Sequence, residues 1–180
     1  MPYYRRIHQR GATYFFTVVT YQRRPIFADE RAVHLLEQCC QTTMTTLPFL
    51  QEALVILPDH LHVMWTLPEN DADLSTRWKL IKGKFSHQYQ RDKSENITES
   101  QRKKGESGVW QRRFWEHLIR DESDFNRHCD YVHYNPVTHG LAAAPSDWQH
   151  SSFRTFADKG LYPIDWGHAI TKELLDMDLE

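Results

Sequence analysis

No run of apolar residues in this 180-residue chain approaches the roughly 20 needed to span a bilayer, and the opening MPYYRRIHQR lacks the apolar centre of a secretion signal. Cysteine is scarce: three residues, an odd number, with no Cys-x-x-Cys pair. Neither a disulfide framework nor a cysteine zinc site is expected, and the setting that follows is reducing and cytoplasmic. A strong net charge is also missing. The 22 Lys and Arg against 24 Asp and Glu leave −2 with His neutral, so the total does not advertise a nucleic-acid partner. Apolar residues, at 40% against 26% charged, are not in short supply, which excludes a disordered composition and suffices for one ordinary domain over 1–180. What the chain holds in excess is eleven His, six Trp and eight Tyr, the side chains of metal binding and base stacking.

The small net charge hides an uneven distribution. Between Arg77 and Arg113 lie eleven of the 22 Lys and Arg against four acids, and Arg5, Arg6, Arg10, Arg23 and Arg24 cluster near the start. Acids gather at the other end, as Glu173, Asp176, Asp178 and Glu180. Such asymmetry suits an anionic partner on one side of the molecule, the plainer alternative being a solvated helix face and a loop.

Residue patterns predict the elements. Ala12 to Tyr21 is β-branched and aromatic and reads as a strand. Ala28 to Met44 reads as a helix with Asp29 near its start and Val33, Leu36 and Cys40 on one stripe. Glu52 to Leu67 reads as a β-hairpin turning at Pro58-Asp59, and Asp73 to Gln90 as a helix with Leu74, Trp78, Ile81, Phe85 and Tyr89 at helical spacing. The polar stretch Ser94 to Gly108 reads as a mobile loop, Val109 to Ile119 as a strand, and Ser123 to His139 as a helix closed by Gly140. A tail rich in Trp, Phe and Pro runs from about Pro145. The order β, α, β, β, α, β, α fits an α+β fold, an antiparallel sheet of the ferredoxin-like kind with helices on one face.

Two elements carry chemistry. In Asp59-His60-Leu61-His62-Val63-Met64-Trp65, strand alternation puts His60 and His62 on one face and Leu61, Val63 and Trp65 on the other. Two imidazoles spaced i and i+2 can share a divalent ion; they can equally be polar residues on a solvated strand face. In Asp130-Tyr131-Val132-His133-Tyr134-Asn135, helical geometry brings Tyr131 and Asn135 within about 40° on one side, bordered by His128 and His139. Phe125, Cys129, Val132 and Pro136 form the neighbouring packing stripe. A phenol is a poor nucleophile at neutral pH, but a cation held by two His and an amide oxygen could polarise a phosphodiester for its attack. Imidazoles with a hard oxygen suit Mg²⁺ or Mn²⁺ on phosphates, although zinc would also bind.

These residues resemble the single-tyrosine HUH transposases, and within them the REP-associated tyrosine transposases. The His60-Leu61-His62 triplet matches the family's metal-binding motif, Tyr131 its nucleophile and Asn135 its third ligand. Tyr4-Arg5-Arg6 through Thr20, Leu57-Pro58-Asp59-His60, Gln111 to His117, Tyr131 to Gly140 and Asp147 to Trp166 are also family-like. The resemblance implies an HUH fold with the catalytic tyrosine helix on the sheet face opposite the other helices. It also implies metal-dependent strand transfer on single-stranded DNA: Tyr131 attacks the scissile phosphate at the foot of a palindromic hairpin, leaving a 5′-phosphotyrosine and a free 3′-hydroxyl. The implied partner is REP-type hairpin DNA, bound in the cytoplasm, at the nucleoid, by a monomer as in the REP branch or by a dimer as among its relatives.

Charge and aromaticity extend that expectation. Arg77, Lys79, Lys82 and Lys84, with Arg102, Lys103 and Lys104, are placed to contact phosphates. Tyr3, Tyr4, Arg5 and Arg6, or Arg112, Arg113 and Trp115, are placed to read or stack on unpaired bases, although Trp110, Phe114 and Trp115 also fit a sheet core. Asp59 reads as a turn residue in preference to an orienter of a histidine, and Tyr134 is a rival nucleophile. The loop from Ser94 to Gly108 either grips DNA or is idle. Two other classes make contrary predictions: a non-catalytic hairpin binder indifferent to Tyr131→Phe, and a metal hydrolase that cuts with water and forms no adduct.

Overall fold

The structure, a computed structural model, describes residues 9–93 and 108–167. Strand β1 (Thr13–Val19) is followed by helix α1 (Glu30–Met44), strands β2 (Leu50–Ile56) and β3 (His60–Thr66), helix α2 (Leu74–Lys93), strand β4 (Trp115–Leu118), helix α3 (Glu122–Thr138) and a short helix α4 (Phe153–Asp158). The four strands form one antiparallel sheet in the order β2-β3-β1-β4, the ferredoxin-like arrangement of a split βαβ pair. No described helix is long and apolar enough to cross a membrane.

Period-two alternation sorts the sheet's side chains into two cores. Tyr14, Phe16 and Val18 of β1 and Leu61, Val63 and Trp65 of β3 pack with Val33 and Leu36 of α1 and with Trp78, Ile81 and Phe85 of α2. On the opposite face Phe15, Ala53, Val55 and Met64 meet Cys129, Tyr131 and Val132 of α3. The tyrosine helix thus has one sheet face and the other two long helices share the other. Asp29 caps α1 by accepting the backbone N–H of Arg31 at 3.0 Å. The buried stripe of α1 runs through Cys39, with Cys40 only half-buried, a shift of one position from the expected stripe.

The expected strand from Val109 to Ile119 is interrupted. Trp110 bridges Thr20 and Trp115 pairs with Thr17, so five steps of one chain face three of the other and two residues are surplus. The excess bulges outward and leaves Arg112 and Arg113 exposed.

Residues 145–167 cover the outer side of α3. Tyr162 donates its hydroxyl to Asp130 at 2.5 Å, and His133 Nε2 lies 2.8 Å from Ser152 Oγ, whose backbone N–H meets Leu54 of β2. Burial pushes the His133 imidazole down to about 3. The unfolded chain therefore binds a proton that the folded chain refuses between about pH 6.5 and 3. Stability is expected to fall as pH drops through that window, by at most about 1.4 kcal/mol per pH unit from this group. Urea melts at pH 7 and pH 4.5 test it: His133→Gln should show a shallower loss than the parent chain, and parallel losses would refute a role for His133.

Candidate active site

The hairpin between β2 and β3 presents the histidines. Its turn closes through Leu57 N–H donating to His60 O at 2.8 Å, and is tied to the end of β1 by Thr20, whose N–H and hydroxyl both donate to Asp59 O. His60 and His62 then fall on the α3 side of the sheet and are 2% and 0% exposed. This corrects the solvated-face alternative. The pair is roofed by α3, and buried imidazoles need partners.

Each imidazole is oriented through Nδ1. Asp59 Oδ1 accepts from His60 Nδ1 at 2.6 Å, and His62 Nδ1 lies 3.0 Å from Thr17 Oγ1, its cross-strand neighbour. With Nδ1 carrying the proton, both lone pairs lie at Nε2, the arrangement that ligand histidines adopt. Asp59 is therefore an orienter as well as a turn residue. Burial alone would raise its carboxyl, but the hydrogen bond to His60 and the Arg23 guanidinium at 3.3 Å outweigh it and hold the group below the usual range. Arg23 and its neighbour Gln22 are the two non-glycine residues with positive φ among those described, at 50° and 55°. Burial, reinforced by His60, His139 and Arg23, holds His62 well below its ordinary value and so keeps it neutral.

Helix α3 brings its polar stripe onto this pair. Asp121 caps the helix by accepting Asp124 N–H at 2.8 Å. The Tyr131 ring stands edge-on to His62 at 5.1 Å between centroids, and His139 stands edge-on to His60 at 5.2 Å. Asn135 lies between those two positions, one turn from each, and is 1% exposed. The Nε2 of His62 and the Oδ1 of Asn135 are buried with no hydrogen-bond partner among the described residues. Buried acceptors without donors are costly, and a cation is one species that would satisfy both. The helix, expected to carry a polar border beside its packing stripe, instead buries Tyr131, Asn135 and His128 against the sheet and exposes His139.

A second group had no signal in the sequence. Asp124, 1% exposed, accepts from His117 Nε2 at 2.8 Å and from Arg120 N–H at 3.0 Å. His128 Nδ1 lies 2.7 Å from Asp124 O and 3.2 Å from its Oδ1. Burial would raise Asp124, but the donors of His117 and Arg120 prevail and hold it far below the usual range. His117, Asp124 and His128 bring ligand atoms within 4.8 Å of one another, a spacing compatible with a metal ion. The two rings are stacked in parallel at 4.6 Å and the carboxylate is already supplied with donors, so hydrogen bonds link the three side chains, while His128 Nε2 is buried with no partner among the described residues.

The expected DNA contacts divide. Arg77 is corrected: it is 0% exposed and donates to Asp71 at 2.6 Å, to Pro48 O at 2.7 Å and to Asp73 O at 2.7 Å, an internal tie unable to reach a phosphate. Lys82 and Lys84 belong to α2, on the sheet face away from His60 and His62, and Lys82 donates to Gln111 O at 2.6 Å. Arg112, Arg113 and Trp115 are exposed, whereas Trp110 is core. Tyr3, Tyr4, Arg5, Arg6, Arg102, Lys103, Lys104 and the expected loop up to residue 107 lie outside the described residues. Tyr134 is 3% exposed, with its ring against Trp166, and is not part of the histidine group.

Known proteins resemble this chain along most of its length. Residues 8–135 match the transposase family described as IS200-like. A curated relative from Haemophilus influenzae, named as a REP-associated tyrosine transposase, is 40% identical over 93% of this chain and 94% of its own. Another of that name from Escherichia coli is 39% identical over 95% and 94%. The solved structure of a REP-associated tyrosine transposase bound to a REP hairpin superposes with a TM-score of 0.80 at 39% identity, covering 95% of this chain and 94% of that one. Buried histidines under a tyrosine helix and relatives matched along nearly their whole length lead to one assignment: the chain belongs to the REP-associated tyrosine transposases of the IS200-like family and is a transposase enzyme.

Proposed function

We propose that this chain cleaves and rejoins single-stranded DNA at the foot of a REP-type hairpin, with Tyr131 as nucleophile. The observation that carries the reading is the bracketing of Asn135: Tyr131 rests on His62, His139 rests on His60, and the amide between them buries an oxygen with no hydrogen-bond partner among the described residues. His60, His62 and Asn135 would hold a divalent cation, Mg²⁺ or Mn²⁺, which when bound supplies Lewis-acid polarisation of the scissile phosphate. Asp59 and Thr17 fix the two rings for that task, and the α3 roof keeps water from the imidazoles.

In the reaction the Tyr131 oxygen forms a bond to phosphorus as the bond to the 3′-oxygen breaks. The phenolic proton is lost from Tyr131 and one is gained by the departing 3′-hydroxyl. The 5′-phosphotyrosine retains the phosphodiester's energy, so a second 3′-hydroxyl can attack it and reseal the strand without ATP. A protein acting on chromosomal palindromes in this way works in the cytoplasm at the nucleoid.

The test is incubation with labelled hairpin DNA carrying a single-stranded foot, with Mn²⁺ or Mg²⁺, followed by denaturing electrophoresis and mass spectrometry. A covalent adduct mapped to Tyr131, and absent in chelator, is the expected product. Cleavage without an adduct would replace this reading with a water-using nuclease, and tight binding with neither product would leave a hairpin-binding protein.

A further inference from the structure

Trp115 is the one aromatic side chain among the large exposed hydrophobic residues described, at 40% exposure, and its position is not that of a stray surface residue. It pairs with Thr17 across β1–β4, and Thr17 pairs with His62 across β1–β3. His62, Thr17 and Trp115 therefore form one row across the sheet on the α3 face. Two strand spacings separate the ends of the row, roughly 10 Å. That is the reach of a nucleotide flanking a phosphate seated at His62.

The indole is also backed by a built platform. Its ring lies parallel to His117 at 6.0 Å and 7°, and His117 lies parallel to His128 at 4.6 Å and 15°. The Asp124 carboxylate holds His117, and His128 is anchored on the Asp124 carbonyl. Phe15 meets the edge of the stack: its centroid is 5.7 Å from Trp115, 4.9 Å from His128, 5.8 Å from Tyr131 and 5.4 Å from His62. One ring thus bridges the stack and the proposed nucleophile. Beside it the two surplus residues of the bulge, Arg112 and Arg113, stand in solvent where the backbone of the same strand would pass.

We infer that Trp115, backed by His117 and His128 and anchored by Asp124, is a stacking subsite for an unpaired nucleobase next to the scissile phosphate. The inference rests on the proposed function and specifies where the single-stranded foot lies. An aromatic face accepts any base, so the subsite sets the strand's path and register and leaves base choice to other contacts.

The experiment uses the full chain on a Tyr131→Phe background with Mg²⁺, so that binding is not followed by cleavage. Trp115→Ala should weaken a footed hairpin roughly tenfold or more, Trp115→Phe should recover most of the loss, and a hairpin lacking the foot should bind all three alike. Scanning 2-aminopurine through the foot should find one position quenched by the parent protein and bright with Trp115→Ala. An abasic nucleotide at that position should make Trp115→Ala silent. Equal loss on the footless hairpin, no loss anywhere, or additive effects of the abasic site and the substitution would each overturn the subsite. The wild-type chain separates the two proposals: an adduct at Tyr131 with Trp115→Ala binding normally sinks only the subsite, whereas a chain that binds no footed hairpin sinks both.

Discussion

Tyr131→Phe is expected to abolish the protein–DNA adduct and to lower strand cleavage by roughly a thousandfold or more, because no other group can take the place of an attacking oxygen at that point of the helix. The substitution removes one atom and keeps the ring. The edge contacts to Phe15 at 5.8 Å and His62 at 5.1 Å survive, so stability should change by no more than about 1 kcal/mol. Unfolding in urea alongside a cleavage time course separates chemistry from folding. Tyr134→Phe is the control. That phenol is buried against Trp166 and away from the histidines, and its hydroxyl has no hydrogen-bond partner among the described residues, so cleavage should continue at the parent rate. Cleavage that survives Tyr131→Phe would mean that water, and not the phenol, attacks.

The second large effect concerns the imidazoles. His62→Ala is expected to remove measurable Mn²⁺ binding in calorimetry and to eliminate cleavage, while affinity for the hairpin, measured by anisotropy, stays within about threefold. The reason lies in the burial of His62: it is 0% exposed, it is held neutral, and its Nε2 has no hydrogen-bond partner among the described residues. Asp59→Ala acts one atom further out. Without the carboxylate at 2.6 Å the His60 ring loses its fixed tautomer, and metal affinity should drop about 10- to 100-fold with cleavage falling in step. Restoring cleavage by raising Mn²⁺ would identify the defect as one of metal capture. Wild-type Mn²⁺ affinity in Asp59→Ala would return Asp59 to the role of a turn residue, and metal binding that persists in His62→Ala would place the ion elsewhere, the His117, Asp124 and His128 group being the next candidate.

Much of this site is legible without the structure, for a local reason. Period two in a strand assigns His60 and His62 to one face and Leu61, Val63 and Trp65 to the other whatever surrounds them. Period 3.6 in a helix does the same for Tyr131 and Asn135. Asp29 and Gly140 mark helix ends through capping and a positive φ, which also depend only on neighbours along the chain, whereas the Asp121 cap of α3, one residue before its start at Glu122, is missed by a pattern that begins that helix at Ser123. The order of the elements, with the handedness and adjacency rules of sheets, then leaves few arrangements besides the one observed.

Local periodicity thus settles which side chains share a face. Tertiary structure decided what each face meets. Whether His60 and His62 see water or the underside of α3 depends on packing between residues some 70 positions apart, and no local period reports it. Strand register alone makes Thr17 the partner of His62 and aligns Trp115 in the same row. Arg77, sitting in a basic run and so read as a phosphate contact, is instead claimed by Asp71 and the Pro48 carbonyl, because a guanidinium buried by its helix must find acceptors inside the protein. In the clamp of His117, Asp124 and His128 the last two are neighbours by helix spacing alone, but His117 reaches the Asp124 carboxylate only when β4 and α3 pack together. Composition and periodicity are properties of the chain, whereas burial, register and the pairing of charges arise when distant segments exclude water from between them.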